Sequence, residues 1–190
     1  MKKLVIAAAI AATAILSINC GKMSSSPNPG MTCTPSAFGH LDASVTSPSL
    51  GSGILYASKY HLTAASKLIG FSFNPLAATG SILFAIYTDT GGSPGNLIAQ
   101  TAFTAAAAPG PQTVYVAPQV NISAGNYWLA CLTDSSSLIG MDSTGSSGGS
   151  RYIVSPSNGY SVLPATFSIN GTVTTDTNYY IMMNANVACQ

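Results

Sequence analysis

The side chains that could do acid–base chemistry are few and scattered along this 190-residue chain. There is no Glu, and the two histidines, His40 and His61, stand alone in the sequence. A general acid–base pair would therefore have to come from Asp residues that are spread over the chain. The sequence accordingly predicts no catalytic residue, and we expect the protein not to be an enzyme.

Metal-binding patterns are equally sparse. Asp134, Asp142 and Asp176 could bind calcium through their carboxylates and loop carbonyls, and the first two flank one loop. However, the chain contains no Asp-x-Asp-x-Asp run, and it lacks the Cys-x-x-Cys spacing of zinc sites. The sequence predicts no metal and no cofactor, and it leaves a structural calcium open.

Cys20 is the residue whose position indicates a specific reaction. It follows a basic start, Met1-Lys2-Lys3, a 15-residue apolar run from Leu4 to Ile18, and the polar Asn19. These are the parts of a secretory signal, and the run is shorter than the roughly 18–20 residues that span a bilayer. A lipoprotein signal places at this position the thiol that receives a diacylglyceryl group. An ordinary secretory signal, which would leave Cys20 as a plain thiol, is the alternative.

The segment Leu16-Ser17-Ile18-Asn19-Cys20 resembles the lipobox of spirochaetal lipoproteins, those of Leptospira in particular. The usual bacterial box has Leu three residues before the cysteine and Gly or Ala directly before it, whereas the spirochaetal form tolerates bulkier or more polar residues. The resemblance implies a lipid anchor at Cys20. It also implies a location in the cell envelope, most simply the outer membrane, facing either the surface or the periplasm.

Three segments follow from this interpretation. Residues 1–19 are expected to be the signal peptide, and residues 20–31 the lipidated N-terminus with a flexible tether rich in Ser, Pro, Asn and Gly. Residues 32–190 are expected to form a single β-sandwich domain.

The composition excludes one class of partner. Charged residues make up 6% of the chain, whereas soluble domains usually have about a quarter. Because there is no basic patch to release counterions, we expect no binding to nucleic acid. The expected partners are the membrane, through the N-terminal lipid, and an extracellular glycan or protein ligand.

Export implies an oxidising environment, in which a disulfide can form. Cys33, Cys131 and Cys189 remain beside Cys20, so three pairings are possible. We favour Cys33–Cys189, because both lie at the ends of the folded part, where strands otherwise fray. Cys131 lies in an apolar run that predicts a core strand, and we expect it to be a buried free thiol.

Short β-rich runs alternate with Gly, Pro, Ser and Asn clusters after residue 30, which is typical of an all-β protein. In the last run, Met183, Ala185 and Val187 alternate with Asn184 and Asn186, so one face of this strand should pack against the core and the other should be exposed to solvent. We predict a two-sheet sandwich, jelly-roll-like, with about nine strands. The predicted strands are Gly53–His61, Leu68–Phe73, Ser81–Thr88, Leu97–Phe103, Thr113–Val116, Asn126–Thr133, Tyr152–Val154, Ala165–Ile169 and Tyr179–Cys189. The residues expected in one core between the sheets are Ile82, Phe84, Ile86, Leu97, Trp128, Ile181 and Met183.

Two segments resemble a β-sandwich domain found in anchored bacterial surface proteins. In the first, an apolar strand ends in Tyr87-Thr88-Asp89 and crosses the loop Gly91-Gly92-Ser93-Pro94-Gly95 into an aliphatic strand. The second is the companion Gly125-Asn126-Tyr127-Trp128. The resemblance covers roughly residues 68–134. It implies an extracellular sandwich and no reaction.

Aromatic residues are the remaining candidates for recognition. Trp128 could stack on a sugar, but its apolar neighbours favour a place in the core. Tyrosine gives contact area at low entropic cost, and the candidates for an exposed ligand surface are Tyr56, Tyr60, Tyr152 and Tyr160. The sequence thus predicts a lipid-anchored envelope protein with a non-catalytic binding or surface-structural role. The alternative is a carbohydrate-binding or carbohydrate-active secreted module that uses Trp128 and an Asp pair.

Overall fold

The computed structural model describes residues 36–41, 52–76, 78–134, 139, 141–142, 151–154, 163–167, 173–176, 180–181 and 183–188. All of the regular secondary structure in these residues is β-strand. No helix able to cross a membrane is found among them. The strands are β1 (Ser36–His40), β2 (Leu55–Leu62), β3 (Ser66–Phe73), β4 (Ser81–Thr90), β5 (Ser93–Gln100), β6 (Thr104–Ala105), β7 (Gln112–Ile122), β8 (Gly125–Thr133), β9 (Met141–Asp142), β10 (Arg151–Val154), β11 (Val173–Asp176), β12 (Tyr180–Ile181) and β13 (Met183–Ala188).

The strands form two main antiparallel sheets. The four-stranded sheet has the order β1-β13-β3-β7. The seven-stranded sheet has the order β11-β10-β2-β8-β4-β5, and β6 pairs with the start of β4. The short strands β9 and β12 pair only with each other among the described strands. The two-sheet, all-β architecture predicted from the sequence is therefore confirmed.

Eight of the strands follow the connections of a jelly roll. They occur in the orders β1-β13-β3-β7 and β2-β8-β4-β5, one in each sheet. Along the chain, each connection among these eight passes from one sheet to the other, except the β4–β5 hairpin. Two interlocked Greek keys of this kind make a jelly roll, so the finer prediction of a jelly-roll-like sandwich is confirmed as well.

The main core lies between the two sheets. Phe84 of β4 faces Phe71 and Phe73 of β3, with ring centroids 5.5 and 4.9 Å apart. All three rings are fully buried. Strand β13 supplies Met183, Ala185 and Val187 to this core, while Asn184 and Asn186 are partly exposed. This alternation confirms the two faces predicted for the last strand.

A second apolar layer covers the other side of the seven-stranded sheet. Trp128 is fully buried there, opposite Lys59 of β2 and Tyr87 of β4, and not in the core between the sheets. The prediction of one core is thus wrong for Trp128, and Leu97 also packs against this outer layer. The inter-sheet core does contain Ile82, Phe84, Ile86 and Met183. The side chain of Ile181 lies outside the described residues.

Residues 163–167 cover this outer layer. The Leu97 N–H donates to the Ala165 carbonyl at 2.8 Å, and the Phe167 N–H donates to the Gly95 carbonyl at 2.8 Å. The Phe167 ring contacts the Tyr87 ring edge-on, at 5.1 Å between centroids. A strand was predicted from residue 165 onward. The described residues 165–167 form only an isolated bridge, so they act as a cover that is tied to β5.

The β4–β5 hairpin turns at two glycines. Gly91 and Gly92 have φ values of 61° and 89°, which are left-handed conformations that glycine adopts without steric cost. Strand β5 begins at Ser93, so Pro94 lies in the strand and the loop is shorter than the predicted Gly91–Gly95. A Cβ at Gly95 would overlap the Thr88 and Thr90 hydroxyls, so this position also requires glycine.

Candidate functional site

The structure describes the side chains of two of the four tyrosines that the sequence suggested as a ligand surface. Tyr56 is only 6% exposed and packs in the core between the sheets, so the prediction of an exposed recognition residue is wrong there. The physical reason is that β2 turns Tyr56 toward the opposing sheet. Tyr60 is partly buried against the same core. Tyr152 belongs to β10, but its side chain lies outside the described residues, as does the whole of Tyr160.

Of the four cysteines, the structure describes one, Cys131. Cys131 is fully buried and forms no disulfide, as predicted for a core thiol. Its burial raises the pKa of the thiol, which keeps the thiol protonated and unreactive. Cys20, Cys33 and Cys189 lie outside the described residues, so the lipid anchor and the Cys33–Cys189 bridge remain predictions.

The scattered acid–base residues do not converge in the described part of the chain. No three His, Cys, Asp or Glu side chains come together there in a way that could hold a metal ion. His61 lies on the surface, with Nδ1 at 2.9 Å from the Asn126 side-chain oxygen. Asp134 Oδ1 accepts a hydrogen bond from the Ser81 backbone N–H. Asp142 and Asp176 lie in β9 and β11, and nothing is described of their side chains.

Asp89 is the centre of one polar cluster, on the outer side of the seven-stranded sheet. Its Oδ1 accepts a hydrogen bond from Trp128 Nε1 at 2.7 Å, and its Oδ2 accepts one from Lys59 Nζ at 3.0 Å. The Lys59 ammonium also lies 5.9 Å from the centroid of the Trp128 ring. Because a structural donor binds each carboxylate oxygen, this cluster ties β2, β4 and β8 together.

The surroundings of Asp89 change its acidity. Desolvation by burial would raise the pKa of Asp89, but the hydrogen bonds from Trp128 and Lys59 and the charge of Lys59 outweigh it. The pKa therefore lies below its ordinary value of 3.8. A carboxylate whose pKa is lower in the folded state stabilises the fold at higher pH, and that contribution is lost as the pH falls through the folded pKa.

We expect Asp89→Asn to flatten the acid limb of the stability curve, which is the fall in the free energy of unfolding as the pH decreases below about 4. In the wild type, the free energy of unfolding should fall as the pH drops below about 4, because the Asp89 carboxylate of the unfolded chain takes up a proton there while the folded carboxylate stays ionised down to its lower pKa. In Asp89→Asn this part of the fall should be missing, and at pH 7 the variant should lose about 1–3 kcal/mol because its amide cannot accept both hydrogen bonds. Urea unfolding at a series of pH values measures both effects.

Lys59→Met is the matched control for this prediction. It removes the ammonium and keeps both the Asp89 carboxylate and most of the apolar stem that covers the sheet. The acid limb should become shallower than in the wild type without disappearing, since the Trp128 hydrogen bond is still present. Identical acid limbs in Asp89→Asn and the wild type would contradict the assignment of this pH dependence to Asp89.

A different surface lies on the outer side of the four-stranded sheet. We call it the polar face, and its side chains are Ser72 of β3, Thr113 and Tyr115 of β7, and Asn184 and Asn186 of β13. In the strand register, Asn184, Ser72 and Thr113 form one row across the sheet, and Asn186, Gly70 and Tyr115 form the next. All five side chains are exposed or partly exposed.

Hydrogen bonds connect the side chains of the polar face across three strands. Asn186 Nδ2 donates to Ser72 Oγ at 2.7 Å, and the hydroxyls of Ser72 and Thr113 are 2.9 Å apart. These bonds use only part of the hydrogen-bonding capacity of two amides and two hydroxyls. Asn186, Ser72 and Thr113 are therefore oriented by their own contacts and keep hydrogen-bonding capacity for a ligand.

Tyr115 is the aromatic residue of the polar face. It is 68% exposed, the most exposed of the large hydrophobic residues in the described part of the chain. Its partner across the strand pair is Gly70, a buried position beside the shift in the β3–β7 register, where a Cβ would overlap the Val114 carbonyl. The strand beside Tyr115 thus has no side chain at that position.

A small cleft lies between β5 and β7, the edge strands on one side of the sandwich. It has a volume of about 280 Å³ and is lined mainly by aliphatic residues, among them Leu97, Val116 and Pro118. The buried Gln100 Oε1 at this cleft has no hydrogen-bond partner among the described residues. The cleft has no charged side chain in its lining, so it offers little chemistry beyond apolar contact.

Comparison with known proteins adds no relative. No protein-family model, curated protein sequence or solved structure matches the chain. The resemblances to a spirochaetal lipobox and to an anchored surface domain therefore remain predictions.

The sequence did contain a signal for the polar face. In β7, Thr113 and Tyr115 alternate with Val114 and Val116, and this period of two places the first pair on the wet side of the strand. Tyr115 was not among the tyrosines predicted as a ligand surface. Ser72 and Thr113 could not be paired from the sequence, because their contact depends on the register between two strands that are distant in the chain.

Proposed function

We propose that this chain is a lipid-anchored protein of the cell envelope with a non-catalytic binding role, and that the polar face is its binding surface. The observation that supports the binding role is the 68% exposure of Tyr115 beside the hydrogen-bonded side chains of Asn186, Ser72 and Thr113. An exposed aromatic ring next to oriented amides and hydroxyls combines contact area with directional recognition.

The anchor is inferred from the sequence. The apolar run from Leu4 to Ile18, the cysteine at position 20 and the Ser- and Pro-rich segment after it support an N-terminal lipid with a tether to the domain. Such a tether would hold the jelly roll at the membrane while leaving its outer faces accessible.

The carbohydrate-active alternative loses its main support. It required an exposed Trp128 beside a pair of carboxylates, but Trp128 is fully buried and Asp89, the carboxylate beside it, is bonded to both Trp128 and Lys59. We therefore do not propose Trp128 as a sugar-stacking residue.

Partition into detergent tests the anchor. The full chain, expressed in a bacterial host that processes lipoproteins, should enter the detergent phase, and its mature N-terminus should be Cys20 with the mass of a diacylglyceryl modification. Cys20→Ala should remain an unprocessed precursor, because the modified thiol is what directs cleavage.

Cys33→Ala is the control, since it removes a different thiol near the tether and should leave the modification unchanged. Tyr115→Ala should also enter the detergent phase like the wild type, because anchoring and binding use different parts of the chain. A mature N-terminus without lipid would exclude the proposed anchor.

A further inference from the structure

We propose that the polar face binds a neutral glycan, with the Tyr115 ring stacked on one sugar and the amide and hydroxyl row bonded to its neighbours. This inference rests on the proposed binding role of the polar face and specifies its ligand. Two properties of the face support it: its exposed aromatic ring and its uncharged hydrogen-bonding groups.

The ring supplies the stacking contact. One face of a pyranose sugar presents a patch of C–H groups, and these pack against the negative face of an aromatic ring. Tyr115 is exposed enough to accept such a contact. Gly70, the residue opposite Tyr115 on β3, carries no side chain that could cover the ring.

The row of polar side chains supplies the directional contacts. Thr113 lies two residues from Tyr115 on β7, about 7 Å along the strand, and the next two strands follow at intervals of about 5 Å. Asn184 and Asn186 lie on β13, two strands away from Tyr115. A ligand that stacks on Tyr115 and extends across the sheet would place its hydroxyls over amides and hydroxyls that can both donate and accept.

The charge of the face selects for a neutral ligand. Lys67 is the single charged residue among the described positions on this side of the sheet, and it lies at the end away from Ser72 and Thr113, opposite Asn121 and Ala188. Among the described residues of this face, an anionic polymer could pair with one cation, and a cationic polymer could pair with no carboxylate. Neutral hydroxyls match these groups without the cost of desolvating an unpaired charge.

A protein partner fits this surface less well. The centre of a protein interface is usually a cluster of apolar and aromatic side chains. Of the exposed large hydrophobic residues in the described part of the chain, only Tyr115 belongs to this face, since Leu76 follows β3 and Phe103 lies between β5 and β6. One ring among amides and hydroxyls suits a sugar better than a second protein.

Titration calorimetry with defined oligosaccharides tests the proposal. The full chain, purified in detergent, is titrated with cellohexaose, laminarihexaose and N-acetylated chitohexaose, and with a heparin hexasaccharide as the anionic comparison. At least one neutral hexasaccharide should bind more tightly than heparin. Its affinity should change by less than about twofold between low and high salt, because no charge pairs are involved.

Variants of Tyr115 identify the contact. Tyr115→Ala should weaken binding about tenfold or more, since stacking on an aromatic ring is lost. Tyr115→Phe keeps the ring and should bind within about threefold of the wild type. Phe103→Ala removes an exposed ring elsewhere and should bind like the wild type. If Tyr115→Ala proves unstable, Thr113→Val removes a hydroxyl at constant shape and should weaken binding about threefold or more.

Each contrary outcome has a separate meaning. Binding of none of the three neutral sugars, or binding that Tyr115→Ala leaves unchanged, would overturn the glycan proposal. If heparin binds and the neutral sugars do not, the neutral class is wrong. The glycan proposal would also fail if the chain bound an envelope protein, and Tyr115→Ala abolished that binding while leaving sugar binding unchanged. The polar face would then remain a binding surface, with a protein as its ligand. Loss of the lipid at Cys20 would affect only the proposed anchor.

Discussion

Phe84→Ala should reduce the free energy of unfolding by about 3–5 kcal/mol, the range for deleting a large aromatic side chain in a core. The Phe84 ring is fully buried between Phe71 and Phe73. The neighbouring strands cannot close the cavity easily, because they are held in two hydrogen-bonded sheets. The backbone of Phe84 should stay in place, since its N–H and carbonyl bond to Thr101 whatever the side chain. Urea unfolding followed by circular dichroism measures the loss.

Two further variants make this result specific to packing. Phe84→Leu keeps most of the apolar volume and should cost less than half as much, about 1–1.5 kcal/mol. Phe103→Ala removes a ring that is 38% exposed and should cost less than about 1 kcal/mol. Equal losses for Phe84→Ala and Phe103→Ala would show that the three rings are not packed as a unit.

Part of the inter-sheet core could be predicted from the sequence, because apolar and polar residues alternate along one of its strands. The last strand alternates Met183 and Ala185 with asparagines, so its buried face can be identified without knowing the partner strand, whereas residues 82–87 of β4 are apolar and buried on both faces. The same rule fails for β8. Its residues from Tyr127 to Thr133 are buried on both faces, so hydrophobicity alone could not assign Trp128 to one side.

Other features depend on contacts that are distant in the chain. Strand β1 is a short edge strand with Gly39 in it, and its pairing with β13 joins residues from opposite ends of the domain. Strand β7 runs through Pro118 to Ile122, well beyond the predicted Val116, because an irregular register with β3 accommodates the proline. The hydrogen bond between Ser72 and Thr113 depends on this register, which is why the polar face could not be assembled from the sequence.

The second large effect is expected at Trp128, whose deletion combines two losses. Trp128→Ala should reduce the free energy of unfolding by about 3–5 kcal/mol through the cavity it leaves, and it also removes the donor to Asp89 Oδ1. Trp128→Phe retains a ring and should cost only about 1–3 kcal/mol, mainly for the lost hydrogen bond. Chemical unfolding followed by circular dichroism measures both, since the chain has one Trp and these variants lose its fluorescence.

The hydrogen bond between Trp128 and Asp89 can be separated from packing by a double-mutant cycle. If the indole N–H and the carboxylate act as one unit, Trp128→Phe and Asp89→Asn together should cost less than the sum of the single variants, with a coupling of about 0.5–3 kcal/mol. The wild-type indole should also emit at short wavelength and resist quenching by iodide, because its ring is fully buried under the layer that includes Leu163 and Phe167. A long-wavelength, easily quenched emission would mean that residues 163–167 do not cover the ring, and it would restore Trp128 as a candidate for sugar stacking.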